Sequence, residues 1–337
     1  MNQAVVEEIQ KSGLFCADFY KKHYGIAKNG LEHYLAEGWH QNADPGPDFS
    51  TERYRKDYPD VAQAGICPLE HYVLYGKGNR TAPSVHAPES LLWRWKHKKL
   101  FWCPACGHEV NAFEPLPEQY RQASRVEGGT HSKAEMCSPM QYSCPICYAP
   151  DRDRLTIEYL ARNLPKDKPM RCLHIAPSDS IRKWLSVERP LVEQITADLF
   201  MDNMDLKLDI TCMPEVPSDS FDLFICLHVL EHVKDDCAAM RELSRILRPG
   251  AWGILIVPID LNMMKIDEEW GLSPEENLRR FGQADHVRRY SRNGYIERLE
   301  KNGFSVCQAG IKYFGKKTFR KLGMQKTAVV YVVESKK

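Results

Sequence analysis

Four cysteines stand in two short pairs, Cys103-Pro-Ala-Cys106-Gly and Cys144-Pro-Ile-Cys147. Each CPxC turn lets two thiolates converge on one ion, and two such turns supply the four soft ligands of a tetrahedral zinc ribbon. A redox CxxC is the competing chemistry, but two copies ending in knuckle turns favour a metal. Four protein ligands leave no position open for water, so the ion is expected to be structural. Cys137 and His108 are spare ligands. A second constellation joins His228, Glu231 and His232 in one run to Asp285-His286-Val287-Arg288-Arg289-Tyr290 in a later one. Histidine is the side chain most easily poised as a base near neutral pH. An adjacent aspartate can orient and charge-balance it, so His286 is the candidate base for a hydroxyl proton and Asp285 its orienter. Arg288 and Arg289 suit a phosphate or sugar acid, Tyr290 the face of a sugar, and His232 the ordering of the same pocket. The alternative is an ion-pair cluster that only fixes a loop.

The elements that must hold these residues are readable from periodicity. The stretch FDLFICLHVLEHVKDDCAAMRELSRILRPGAWGILIVP, ending at Pro258, reads as strand, loop, amphipathic helix, Pro-Gly turn and second strand. Phe221–Leu227 is a nearly unbroken apolar run, as expected for a strand covered on both faces. From Asp235 onward Met240, Leu243, Ile246 and Leu247 recur at helical spacing, with Pro249-Gly250 as the stop. Leu227 and His228 therefore fall at the carboxyl end of a parallel strand, where open α/β sheets bind small molecules. Leu155–Asn163 and Ser291–Asn302 read as further helices, and Thr327–Glu334 as a closing strand. The fold class is α/β.

The chain has 337 residues, a net charge of +1 and twelve cysteines. That length allows two or three domains, and the charge balance carries no polyanion-binding signature. No apolar run approaches the roughly 20 residues needed to cross a bilayer, and the N-terminus lacks a secretory pattern. A cytoplasmic protein with thiols and metal ligands, rather than disulfides, is expected. Residues 1–86 contain a degenerate repeat: FCADFYKKHYG aligns with FSTERYRKDYP, and LEHYLAEGWHQNADP with LEHYVLYGKGNRTAP, pairing Tyr20 with Tyr54 and His33 with His71. Two stacked helical hairpins follow, as a docking module or a packing scaffold whose histidines are satisfied core groups. Residues 87–150 hold the cysteine pairs and open on LLWRWKHKKLFW, an amphipathic connector or a surface for phosphate or membrane. Residues 151–337 form the catalytic candidate.

HVLEHV, followed by a helix and LRPGAWGILIVP, resembles the post-strand-four region of class I S-adenosylmethionine-dependent methyltransferases. RCLHIAPSDS, ITADLF, LKLDIT, SFDLFICLHVLEHV and FGQADHVRRYS stand in the order and spacing of one methyltransferase type 11-like subgroup often found near bacterial polysaccharide genes. The resemblance runs from about Met170 to the C-terminus and implies a Rossmann-like sheet with an antiparallel last strand. It implies S-adenosyl-L-methionine as cofactor, with Asp198 accepting from both ribose hydroxyls. It also implies Asp209 and Ile210 beside the adenine, and Leu227 and His228 beside the transferred methyl. Where the family has a glycine-rich loop this chain has Ala176-Pro-Ser178-Asp179-Ser180, whose polar groups are candidates for the cofactor's ammonium and carboxylate. The N-terminal repeat resembles one found beside bacterial glycosyltransferases. Together these imply O-methylation of a bacterial glycan or its precursor, with a glycosyltransferase as possible partner. Methylation of RNA and a non-catalytic scaffold are the alternatives.

Overall fold

The computed structural model describes residues 3–26, 28–76, 101–117 and 133–337. Most of LLWRWKHKKLFW, including Lys96, Lys98 and Lys99, lies outside the described residues. The chain divides into two compact units, Met1–Lys98 and Lys99–Lys337.

The larger unit is built on a seven-stranded sheet. Its strands are β1 (Met170–Ile175), β2 (Val192–Asp198), β3 (Leu206–Lys207), β4 (Phe221–Leu227), β5 (Leu247–Ile256), β6 (Phe304–Ala309) and β7 (Val330–Ser335), in spatial order β6-β7-β5-β4-β1-β2-β3. The five strands from β5 to β3 are parallel, and β7 runs antiparallel between β5 and β6. The closing apolar run is therefore the inserted antiparallel strand that the sequence implies. Strand order reverses between β1 and β4, which opens a crevice at their carboxyl ends. Helices α1 (Asp151–Asn163), α2 (Asp179–Glu188), α3 (Asp236–Ile246), α4 (Pro274–Phe281) and α5 (Arg292–Lys301) complete the regular frame. Apolar side chains on the two sheet faces enter separate cores, one around Leu173, Phe224, Leu243 and Tyr295, the other around Cys172, Ile225, Leu155 and Trp184.

Local chemistry explains the helix boundaries. Asp235 caps α3 by accepting from the Ala238 amide at 2.8 Å, and Ser291 caps α5 by accepting from Gly294. Ser273 and Glu276 form a reciprocal capping box on α4. One expectation shifts: α3 ends at Ile246, before Pro249-Gly250, which lies within β5 where the register against β4 breaks between Phe221 and Leu223. Gly250, at φ 76°, supplies the left-handed residue that this irregularity needs.

His174 sits inside β1 at 1% exposure and meets Gln194 Oε1 at 2.9 Å. Burial drives its pKa down to about 4. A depressed histidine contributes stability that is present above its unfolded pKa and lost as pH falls through the folded one. Wild type should therefore lose roughly 3 kcal/mol between about pH 6.5 and pH 4 that a His174→Gln variant does not lose. Urea midpoints across that window check it, and parallel curves for the two proteins would refute it.

The smaller unit packs short helices around Tyr20, Tyr34, Phe49, Tyr54 and Leu69. Tyr20 Oη meets His33 Nδ1 at 3.0 Å, and Tyr54 Oη meets His71 Nδ1 at 3.1 Å. The same bond thus recurs at the positions that the sequence aligns, and both histidines serve as partners of core tyrosines.

Candidate functional site

The cysteine pairs converge. Cys103 Sγ lies 3.6 Å from Cys147 Sγ, and Cys106 Sγ lies 3.9 Å from Cys144 Sγ. A tetrahedron with metal–sulfur bonds of about 2.3 Å has edges of about 3.8 Å, which these two separations match, and all four Sγ atoms lie within 4.8 Å of one another, so the set suits zinc. His108 bonds the Cys106 carbonyl instead of joining them, and Cys137 stands apart. This segment is keyed to the sheet by Arg154, which is fully buried on α1. Its guanidinium donates to the carbonyls of Tyr142, Ala149, Gln141 and Leu322 and lies 3.6 Å from the Phe113 ring centroid. Sequence reading passes over Arg154 because its acceptors are backbone atoms, which no motif displays.

At the crevice, β-sheet register aligns the cofactor candidates. Ile175 pairs with Ala197 on one side and Cys226 on the other, so Ala176, Asp198 and Leu227 end three adjacent strands in one row. Ala176 has φ 45° and His228 has φ 56°, both left-handed. The loop after β1 therefore takes without glycine the turn that glycine usually supplies, with the Ala176 amide donating to the Ala197 carbonyl at 2.9 Å. An alanine held there costs about 1 kcal/mol. Ala176→Gly should accordingly raise unfolding stability by up to about 1 kcal/mol. A melting temperature below wild type would show that the methyl group's packing outweighs the strain.

Ser178 caps α2 by accepting from the Ile181 amide, and Ser180 instead donates to Asp153. Asp179 is exposed and pairs with Arg182 at 2.9 Å. Asp198 Oδ1 accepts from the amides of Phe200 and Met201 at 2.7 and 2.8 Å, which fixes the carboxylate and leaves Oδ2 for a ligand. Asp209 Oδ1 is occupied by the Thr211 amide and hydroxyl. Ile210 is buried in the core, and Leu227 is 8% exposed.

The second row of chemistry lies at the end of β4. His232 Nδ1 stands 3.2 Å from Asp285 Oδ2, and its ring meets that of His286 edge-on at a centroid distance of 4.7 Å. Asp285 therefore orients His232 rather than its neighbour His286. Burial, reinforced by the charge of His232, lowers His286 to about 4, and burial lowers His228 well below the usual range. Glu231, at 1% exposure, is pushed up to about 8 by the same loss of water.

The arginine and tyrosine expectations need correction. Arg288 is buried; it donates to the carbonyls of Leu230, Val233 and Lys234 and to Glu268, so it ties down the loop that carries Glu231 and His232. Tyr290 is fully buried and donates to Asp236 Oδ2 at 2.7 Å, with no face left for a sugar. Arg289 pairs with Asp260. Ion pairing, one of the two readings of this run, accounts for Arg289 and for the Glu268 contact of Arg288, while carbonyls hold the rest of Arg288 and a hydrogen bond to Asp236 holds Tyr290. Residues that the sequence did not single out also border this end of the sheet: Lys133–Glu135 bond the chain beyond β5, with Glu135 donating its amide to the Ile259 carbonyl at 3.0 Å. A small cavity beside them is lined by Glu135, Cys137, His228 and Pro258.

Sheet order and crevice define a Rossmann-like methyltransferase fold, and residues 148–309 match the family described as "Methyltransferase domain". That segment is a class I S-adenosylmethionine-dependent methyltransferase domain, and the protein is a methyltransferase of that kind. S-adenosylmethionine is the cofactor expected of it. Similar solved structures include a complex between the Haloferax volcanii Trm112 methyltransferase activator and a methyltransferase, at 15% identity, covering 55% of this chain and 91% of that one, TM-score 0.37. An S-adenosylmethionine-dependent methyltransferase from Mesorhizobium loti shares 12% identity over 54% of this chain and 99% of its own, TM-score 0.37. One from Archaeoglobus fulgidus shares 13% over 57% and 96%, TM-score 0.36. No curated protein matches the chain. Among the described residues no helix is long and apolar enough to cross a membrane.

Proposed function

We propose that the protein transfers a methyl group from S-adenosylmethionine to a hydroxyl of a bacterial glycan or a sugar-containing precursor. The observation that carries the reading is the row Ala176, Asp198, Leu227 and His228 across three strand ends, bordered by the polar cluster of Glu231, His232 and His286. In this reading Asp198 holds the ribose, and Ala176 with Ser178 borders the methionine part. Asp209 and Ile210 flank the adenine, while Leu227 and His228 face the methyl. The donor's sulfonium supplies an activated methyl group. The chain's own residues have to align the acceptor in line with it and manage the hydroxyl proton, so positioning is the larger demand. Three imidazoles and a carboxyl at the acceptor end suit that proton step, and His232 is the one that Asp285 orients.

The sugar assignment rests on the resemblance of the crevice motifs and of the N-terminal repeat. The left-handed Ala176 keeps the turn in a loop that has no glycine, which weighs against a non-catalytic scaffold. The four-cysteine segment is a structural zinc site in this proposal, and residues 1–86 dock a glycan-assembly partner such as a glycosyltransferase. Incubation with methyl-labelled cofactor and polysaccharide extract from the source cell should label a sugar fraction. Label confined to RNA would overturn the acceptor.

A further inference from the structure

Glu231 is the least explained group in the larger unit. It is 1% exposed, and no other residue hydrogen-bonds either of its carboxylate oxygens. Its closest basic neighbour, His228 Nδ1, is 3.4 Å from Oε1 without hydrogen-bond geometry. A buried carboxyl left without donors is costly and persists where a ligand completes it. The arginines nearby are spent elsewhere: buried Arg288 on three carbonyls and Glu268, and the partly exposed Arg152 on the Tyr142 hydroxyl at 3.0 Å.

One ligand atom each of Glu231, His232 and His286 fall within 4.8 Å of one another. His232 is also held from outside the cluster, by Asp285 at 3.2 Å. A ligating histidine characteristically has such an outer partner, which fixes its tautomer and ring orientation. His286 is 5% exposed, and the His232 side chain is 35% exposed, so the cluster is walled by protein yet reachable from solvent.

We propose that Glu231, His232 and His286 bind a divalent transition-metal ion. Two imidazoles and one carboxylate suit zinc, manganese, iron, cobalt or nickel, and three protein ligands leave positions open, unlike the four-cysteine site. The ion satisfies both orphaned oxygens and balances the carboxylate. Its catalytic use rests on the methyl-transfer reading, whereas its presence does not. On that reading the acceptor hydroxyl becomes a further ligand and loses its proton to water more readily. The resulting oxygen attacks the sulfonium methyl carbon, a C–O bond forms, and the C–S electron pair stays on sulfur as the thioether.

The test titrates the full-length protein, its zinc content counted beforehand, with Co2+ and follows the visible spectrum. Wild type should take one additional equivalent, with bands of nitrogen and oxygen coordination and no thiolate charge-transfer band. Glu231→Gln keeps the shape of the protonated side chain and should bind that cobalt at least about 100-fold more weakly, with zinc content unchanged. Asp285→Ala, which removes only an outer contact, should weaken it about 10- to 100-fold. Absence of the additional equivalent in wild type, or equal affinity in Glu231→Gln, overturns the proposal. S-adenosylhomocysteine titration of the same samples separates the two readings: cofactor binding without cobalt refutes the metal site alone, and cobalt without cofactor binding refutes the methyl-transfer reading alone.

Discussion

Changing Cys144 to serine is expected to release the proposed zinc and unfold the segment around the two knuckles. The small core there comprises Cys103, Val110, Phe113, Cys144 and Ala149, with two of the thiols fully buried. So few apolar side chains cannot offset the chain entropy of ordering the segment, and a structural metal contributes on the order of 10 kcal/mol in such modules. The damage should spread to the sheet. Arg154 holds three carbonyls of residues 141–149 beside that of Leu322, and their departure strands a buried guanidinium. Losing the partners of a buried charge costs about 3–5 kcal/mol. A Cys144→Ser protein should therefore contain no zinc, exchange its amide hydrogens freely near residues 101–117 and 133–150, and melt well below wild type. Arg154→Met, which breaks the link and leaves the thiols intact, should keep its zinc but lose much of the same stability. Full zinc content and an unchanged melting curve in Cys144→Ser would refute the structural role.

What the sequence displayed and what it concealed follow from the range of the interactions. β4, α3, α5 and β7 each declare themselves by local periodicity and caps, because burial of one face dictates residue type every two or every three to four positions. The convergence of Cys103 and Cys106 with Cys144 and Cys147 was readable because the turn chemistry of each knuckle is local. Side-chain pairing across the site was not. Asp285 precedes His286 in the chain, yet its carboxylate faces His232, since the peptide after α4 turns the two consecutive side chains apart. Arg288 looks like an anion clamp in sequence, but three carbonyls of the Glu231 loop capture it in space. That the loop after β1 keeps its turn without glycine was not legible either, because a residue's letter does not reveal that alanine occupies a left-handed position. Glu231 is the sharpest case: the LEHV tetrapeptide gives no hint that its carboxyl is buried with no other residue bonding either oxygen.

Asp198→Ala should weaken S-adenosylhomocysteine binding by roughly 100- to 10,000-fold, the largest loss expected from any single change in the crevice. Two hydrogen bonds from ribose hydroxyls to a carboxylate are each worth about 1.5–3 kcal/mol, and about 1.4 kcal/mol corresponds to tenfold in affinity. The side chain is already set for those bonds, because the Phe200 and Met201 amides hold Oδ1 in place and little freedom remains to be lost on binding. Alanine also releases that turn, which should lower stability by about 1 kcal/mol, a shift that a melting curve detects separately. Asp198→Asn distinguishes the two effects. Its amide oxygen can still accept from both backbone amides, but its nitrogen now points a donor at the sugar, so stability should stay near wild type while affinity falls about tenfold or more. Asp209→Asn provides the comparison just beyond the next strand, where Thr211 already occupies Oδ1 through its amide and hydroxyl, and its effect on binding should be smaller. Calorimetric titration of the four proteins with S-adenosylhomocysteine orders them as wild type, Asp209→Asn, Asp198→Asn and Asp198→Ala from tightest to weakest. An Asp198→Ala protein that binds within about threefold of wild type would remove the ribose assignment, and with it the alignment of donor against the Glu231, His232 and His286 cluster.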